Sequence, residues 1–210
     1  MKPQCALILL LICLTPCVTF CQEDTSTVID KLSIFSSWFA EGIKLNNEPD
    51  FGGYERIDIV KYTSRGDSLE DLRETKYQVQ GLIGLKLLRA EPVVNLGFPR
   101  YGILIEYSWT NSQATPRDYF RTAEILQIKG DSLISLWKYN TSEDLTLKAK
   151  TVRASIDFWG SSDRKPWNIV VTKREAYGIH RRKTKNIRET YRYRGGKFEL
   201  VKIETIKYTD

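Results

Sequence analysis

From Tyr54 onward the apolar residues recur mostly at every second position, and that period dictates extended chain with one face turned inward. Ile57 and Ile59 alternate with Arg56, Asp58 and Val60 up to a turn at Ser64 to Asp67. The spacing predicts strands over Tyr101 to Trp109, Tyr119 to Lys129, Leu133 to Tyr139, Leu145 to Phe158, Ile169 to Arg174, Ala176 to Lys183, Ile187 to Arg194 and Lys197 to Tyr208. Gly130-Asp131 and Gly195-Gly196 fall between strands as two-residue hairpin turns, where glycine and aspartate tolerate a positive φ. Strands joined so tightly pair antiparallel.

Two segments depart from this period. Val28, Leu32, Phe35, Phe39 and Ile43 recur at three- and four-residue spacing, with Ile29 and Trp38 widening the stripe, which predicts one N-terminal amphipathic helix capped by Thr27 with Asp30. Ser68 to Arg89 reads as a short helical turn followed by a strand, because Gly81 and Gly84 would each cost a helix about 1 kcal/mol. About ten antiparallel strands exceed what a flat open sheet holds. The expected fold is therefore mainly β: a single antiparallel meander curled into a lipocalin-like or half-open barrel with one N-terminal helix, a β-sandwich being the alternative.

With 41% hydrophobic residues, 11% aromatic and 28% charged over 210 residues, the chain has enough apolar content for one sizeable core. No repeat and no linker divides it. Lys2, the apolar run Ala6 to Leu14, Pro16 and the segment up to Cys21 have the layout of a secretory signal peptide, so residues 1–21 are expected to be removed and 22–210 to form a single β-rich domain, secreted or periplasmic. A lipid anchor on Cys17 or Cys21 is the less favoured alternative, since Pro16 or Phe20 occupies the position where a lipobox wants a small residue. All four cysteines, Cys5, Cys13, Cys17 and Cys21, lie in that leader. The mature chain would be cysteine-free, which removes thiolate catalysis and cysteine-ligated metals.

Charge is uneven. Residues 22–149 carry 15 Lys and Arg against 19 Asp and Glu, net −4, whereas residues 150–210 carry 16 against 7, net +9. Arg181, Lys183 and Lys185 would share one strand face and Arg188, Arg192 and Arg194 a face of the next strand, so pairing would gather an anion-binding patch for a lipid headgroup or anionic glycan. Export argues against nucleic acid as the partner.

No catalytic or metal constellation emerges, and no cofactor is expected. Gly66-Asp67-Ser68-Leu69 and Gly130-Asp131-Ser132-Leu133 resemble the Gly-Asp-Ser-Leu block that names a family of esterases. Those enzymes need a late Asp-x-x-His, and three residues before the single His180 stands Tyr177, so both blocks read as turns. Arg65-Gly66-Asp67 also spells the integrin-ligand tripeptide, again on a turn that needs glycine. Gly102 to Tyr139, with Glu106, Tyr119 and Arg121, resembles the paired strands of bilin-lyase barrels over less than a fifth of the chain, and neither residues nor activity carry over. The expectation is a non-enzymatic exported barrel that holds a small hydrophobic or amphipathic ligand. Its lining would be Trp38, Phe39, Tyr107, Trp109, Phe120 and Trp137, with Arg121 as anchor for an acidic headgroup. The alternative is an interaction module that binds a protein or anionic glycan through its basic C-terminal hairpins.

Overall fold

The computed structural model describes residues 26–45, 53–64, 71–93, 96, 101–111, 116–159, 168–178 and 183–206. Its elements are all strands: β1 (Ser26–Phe35), β2 (Trp38–Leu45), β3 (Tyr54–Ser64), β4 (Asp71–Val93), β5 (Tyr101–Thr110), β6 (Tyr119–Lys129), β7 (Ser132–Leu145), β8 (Lys150–Trp159), β9 (Asn168–Tyr177), β10 (Lys183–Arg194) and β11 (Lys197–Ile206). Each pairs antiparallel with its neighbour in sequence, in one eleven-stranded sheet with β1 and β11 at its ends. Those two strands do not pair, so the expected antiparallel meander forms but does not close as a lipocalin-like barrel would.

The expected N-terminal helix is a hairpin, β1 and β2, and no helix occurs among the described residues. Its register explains the misleading period. Val28 pairs with Ile43 but Asp30 with Gly42, and Ser33 pairs with Phe39 but Phe35 with Trp38, so Ile29 and Ile34 are inserted as bulges. Each bulge adds one residue without advancing the partner strand, which stretches a two-residue alternation toward three and four. Ser36 makes the tight turn with φ of 44°. Gly42 lies under the ring of Tyr54, where a Cβ would come within 2.7 Å of the ring. Tyr54 Oη in turn donates to Asp30 Oδ2 at 2.8 Å, tying β3 to β1.

A helical turn at the start of the 68–89 segment is likewise replaced by strand from Asp71 on. The 23-residue β4 pairs with β3 along its first half and with β5 along its second. Gly81 and Gly84, with φ of 74° and 60°, bend it where the partner changes. The expected strand Ala176 to Lys183 is split, with β9 ending at Tyr177 and β10 beginning at Lys183. Gly130-Asp131 and Gly195-Gly196 are two-residue turns as expected. The leader, the Arg65 to Leu69 segment, His180 and Arg181 lie outside the described residues.

Strands β5 to β7 form a middle layer buried on both faces. One face, with Ile103, Ile105, Tyr107, Leu126 and Leu133, packs against Ile34, Trp38, Ala40, Ile57, Ile59 and Val79 of β1 to β4. The other, with Leu104, Ala123, Ile125 and Trp137, packs against Ile169, Val171 and Phe198 of β9 and β11. Consecutive burial from Thr122 to Leu126, instead of alternation, is the signature of a strand covered on both sides.

Candidate functional site

The sheet is weakest between β7 and β8. Only Ser142 to Leu145 pair with Lys150 to Arg153, and from Ala154 onward β8 is bonded to β9 alone. The parting leaves a trough between β8 and the face of β4 to β6. It consists of two clefts, of about 500 and 380 Å3, that share Arg121, Thr141 and Ala154. The larger has an apolar wall of Pro92, Val93, Leu104, Ile156 and Phe158, and the smaller is rimmed by Ser108, Phe120, Ser142 and Arg153.

Charge in the trough is held loosely. Glu106, on β5, stands between Arg89 and Arg121, each 3.9 Å from one of its oxygens and so beyond hydrogen-bond reach. Arg89 grips Glu91 instead, at 2.8 and 2.5 Å. Arg121 makes no side-chain hydrogen bond among the described residues and lines both clefts. Arg153 donates to the carbonyls of Val152 and Glu143 at 2.8 and 3.3 Å and lies 3.9 Å from Asp144. These guanidinium groups therefore keep donor capacity for an incoming acid.

Of the seven expected ligand contacts, the structure brings Phe120 and Arg121 to the trough and distributes the rest. Trp38 and Tyr107 fill the first core. Trp109 stacks on Phe120 with ring centroids 4.2 Å apart and donates Nε1 to Thr122 at 3.0 Å. Phe39 lies on the other face of β2, edge-on to Tyr62, with the Lys31 ammonium 4.4 Å from its ring centre. Trp137 belongs to the second core and stacks on Tyr139 at 5.5 Å. No single pocket gathers these rings, because both faces of the middle layer are inward faces. The five described cations of the expected patch do not merge either, Arg181 lying outside the described residues. Lys183 and Lys185 alternate onto one face of β10 and Arg188, Arg192 and Arg194 onto the other, since one strand holds all five. Glu204 stands opposite Arg188 and Glu199 opposite Arg192, which offsets their charge.

The structure adds three sites of buried carboxylate that the sequence reading passed over. Glu41 and Asp58, both fully buried, are direct neighbours across β2 and β3. Arg73 bridges them, at 2.9 Å to Glu41 and 2.8 Å to Asp58. Tyr62 and Lys31 complete Glu41 at 2.7 and 3.2 Å, and Arg56 and Gln78 complete Asp58, both at 3.1 Å. Burial by itself would push the Glu41 carboxyl up, but the hydrogen bonds from Tyr62, Arg73 and Lys31 outweigh it and hold it below its ordinary value. Glu124 is enclosed in the first core and accepts from Tyr77 at 2.6 Å and Ser135 at 2.5 Å. Glu175 and Glu189 share Lys173, at 3.7 and 2.6 Å, while Lys150 lies 3.4 Å from Glu175. Desolvation opposes ionisation of both, yet bonds from Tyr177 and Lys150 at Glu175, and from Lys173 and Tyr191 at Glu189, keep them low. A lone acid inside an apolar strand segment, as in Phe-Ala-Glu-Gly-Ile or Thr-Ala-Glu-Ile-Leu, is the signal that Glu41, Asp58 and Glu124 share with Glu106, whereas Glu175 and Glu189 each follow an arginine. The saturated partners of Glu41 and Asp58 make that pair structural, whereas Glu106 is the acid with slack contacts at an open surface.

Neither a family model, nor a curated protein, nor a solved structure matches the chain.

Proposed function

We propose that this chain is an exported, non-enzymatic binding protein that takes an elongated amphipathic acid in the trough beside β8, not in a barrel interior. The observation that carries this reading is the continuity of an apolar wall, Val93, Leu104, Ile156 and Phe158, with the under-bonded Arg121 and Arg153. An acyl chain against the wall would remove apolar surface from water at about 25 cal/mol per Å2, and its carboxylate would gain charge-assisted bonds from the guanidinium groups. Glu106 sets the orientation by repelling the acid from the floor of the trough.

Titration with dodecanoate and with its methyl ester, followed by calorimetry, tests this. Arg121→Ala should weaken the acid about tenfold and leave the ester unchanged, as expected for one lost charged hydrogen bond. Phe158→Ala should weaken both. Absence of binding up to the solubility limit, or binding indifferent to both substitutions, would overturn the proposal.

A second reading keeps the basic C-terminal region as a docking surface for an anionic glycan. It rests on Arg153 and Arg174, directly opposite each other across β8 and β9, which with Lys185 line a shallow depression of about 960 Å3. Like charges placed face to face are unfavourable unless an anion joins them. Salt-resistant retention on heparin, lost in Arg174→Ala, would favour this surface over the trough.

A further inference from the structure

We propose that β11 is a dimerisation edge, at which two copies of this chain join their sheets antiparallel about a twofold axis. Lys197 would face Glu204 of the partner subunit, and Glu199 would face Lys202 of the partner subunit. The inference is independent of any ligand in the trough.

Strand β11 ends the sheet, with β10 as its only paired neighbour. Its opposite edge therefore presents a row of backbone donors and acceptors without a strand partner among the described residues. Leu200 and Ile203, 46% and 61% exposed, stand on this strand. The arrangement of its side chains selects the occupant. Tyr191 pairs with Leu200 but Thr190 with Lys202, which leaves Val201 as an inserted residue. The insertion puts Lys197, Glu199, Lys202 and Glu204 on one face and Phe198, Leu200 and Ile203 on the other.

In an antiparallel pair, residues directly opposite share a face. Aligning Lys197 with Glu204 of a second copy brings Glu199 to Lys202 and Phe198 to Ile203, and every one of these facing pairs then lies on a common face. Without the inserted Val201, residues 197 and 204 would point to opposite sides and the register would fail. Each of the four charges, paired along its own strand as Lys197–Glu199 at 3.9 Å and Lys202–Glu204 at 2.8 Å, then also meets one opposite charge across the axis. An edge guarded against its own copy would instead set like charges against each other. Strand β1 carries two insertions, at Ile29 and Ile34, against the single one at Val201 that brings the charges of β11 into register.

Sedimentation velocity on the full chain from micromolar to millimolar concentration, with hydrogen exchange on the same samples, tests the proposal. The expected result is a monomer–dimer equilibrium in which amides of β11 gain protection as concentration rises. Glu199→Lys or Lys202→Glu alone should weaken dimerisation by about tenfold or more, since each converts two attractive pairs to repulsive ones. The charge swap Glu199→Lys with Lys202→Glu restores opposite signs and should recover it. Four outcomes would overturn the assignment: a monomer at every concentration, a dimer indifferent to the single reversals, a swap that fails to rescue, or open-ended assemblies abolished by substitutions in β1. Hydrogen exchange on the unmodified chain decides the matter even where a variant folds poorly, because unchanged protection in β11 across the concentration series also overturns it.

Discussion

The two outer layers of the molecule, β1 to β4 and β8 to β11, solve the same problem with different completeness. Each covers one face of the middle strands with apolar side chains and carries two buried carboxylates beside lysine or arginine. In the first layer the strands pair along most of their length, and Glu41 and Asp58 each have three named partners around the shared Arg73. In the last layer β8 leaves β7 after four pairs, and the surrounding surface opens as the trough and as a polar basin of about 580 Å3 containing Lys150, Lys173, Glu175 and Glu189. Strands β8 to β11 pair with one another as fully as β1 to β4 do, so what separates the two charge clusters is the short junction of β8 with the middle layer. Asp131, at the tip between β6 and β7, reinforces the sealed side by binding Lys61 at 3.2 Å and also Lys76.

The largest effect that follows is at Arg73. Arg73→Ala leaves two fully buried carboxylates facing each other across β2 and β3 without their common counter-charge. Removing one side of a buried ion pair costs about 3 to 5 kcal/mol. Urea denaturation at neutral pH should show a loss at the lower end of that range, since the guanidinium is one-third exposed. Lys173→Ala in the open layer should cost less, about 2 kcal/mol, because Tyr191 still bonds Glu189 at 2.8 Å and Lys150 still accompanies Glu175. Equal losses would break the distinction between sealed and open layers.

Acid separates the layers next. Glu41, Glu175 and Glu189 all hold folded values below the ordinary 4.5. Each therefore contributes stability that is fully present above that value and is lost as pH falls through the lower folded one. Unfolding free energy measured from pH 6 to pH 3 should fall across that window. Arg73→Ala should reduce the Glu41 share of the slope, since the bonds from Tyr62 and Lys31 remain, and leave the share of Glu175 and Glu189, and a slope that does not change would contradict the network. At the alkaline end the sign reverses. Burial, followed by the bond to Asp30, pushes the Tyr54 phenol up to about 12, so its contribution is complete below its ordinary 10.0 and disappears as pH rises through 12. Absorbance at the phenolate band should show late titration from which Tyr54→Phe removes one phenol's share, since burial also pushes Tyr77, Tyr107, Tyr139 and Tyr191 up.

Two strands of the middle layer were the legible part of the fold, whereas β7 runs on to Leu145 past its expected end at Tyr139. The expected strands over Tyr101 to Trp109 and Tyr119 to Lys129 match β5 and β6 to within a residue, because the two strands pair with each other without a bulge. The first hairpin was not legible, since bulges at Ile29 and Ile34 reset that period and Ser36-Ser37 carries none of the glycine, asparagine or proline that marks a turn. The candidate site shows the same limit. Glu106 and Arg121, named together on two consecutive strands, do lie near each other, 3.9 Å apart. Alternation could not tell that Tyr107 and Trp137 face different cores, because period two assigns residues to a face without saying which face is empty. The parting of β8 from β7 depends on pairing lost across space, and no local residue pattern encodes it.

The smallest effects compare one turn from each region. Ser36, between β1 and β2, and Ala149, between β7 and β8, both adopt φ of 44°, in the left-handed region that favours glycine. A side chain there costs about 1 to 2 kcal/mol. Replacement by glycine relieves that strain but also loosens the unfolded chain, so Ser36→Gly and Ala149→Gly should each raise stability by a net of about 0.5 kcal/mol. The two should differ in what they leave alone. Ala149 already accepts a bond from the Gly178 amide at 2.9 Å, which fixes the β7–β8 turn against β9 independently of the side chain at 149. Dodecanoate binding should therefore be unchanged in Ala149→Gly although the turn adjoins the four pairs from which the trough opens. If affinity falls while stability rises, the left-handed alanine is holding β8 at its parting angle, and the opening would have to be attributed to the turn as well as to the shortness of the pairing.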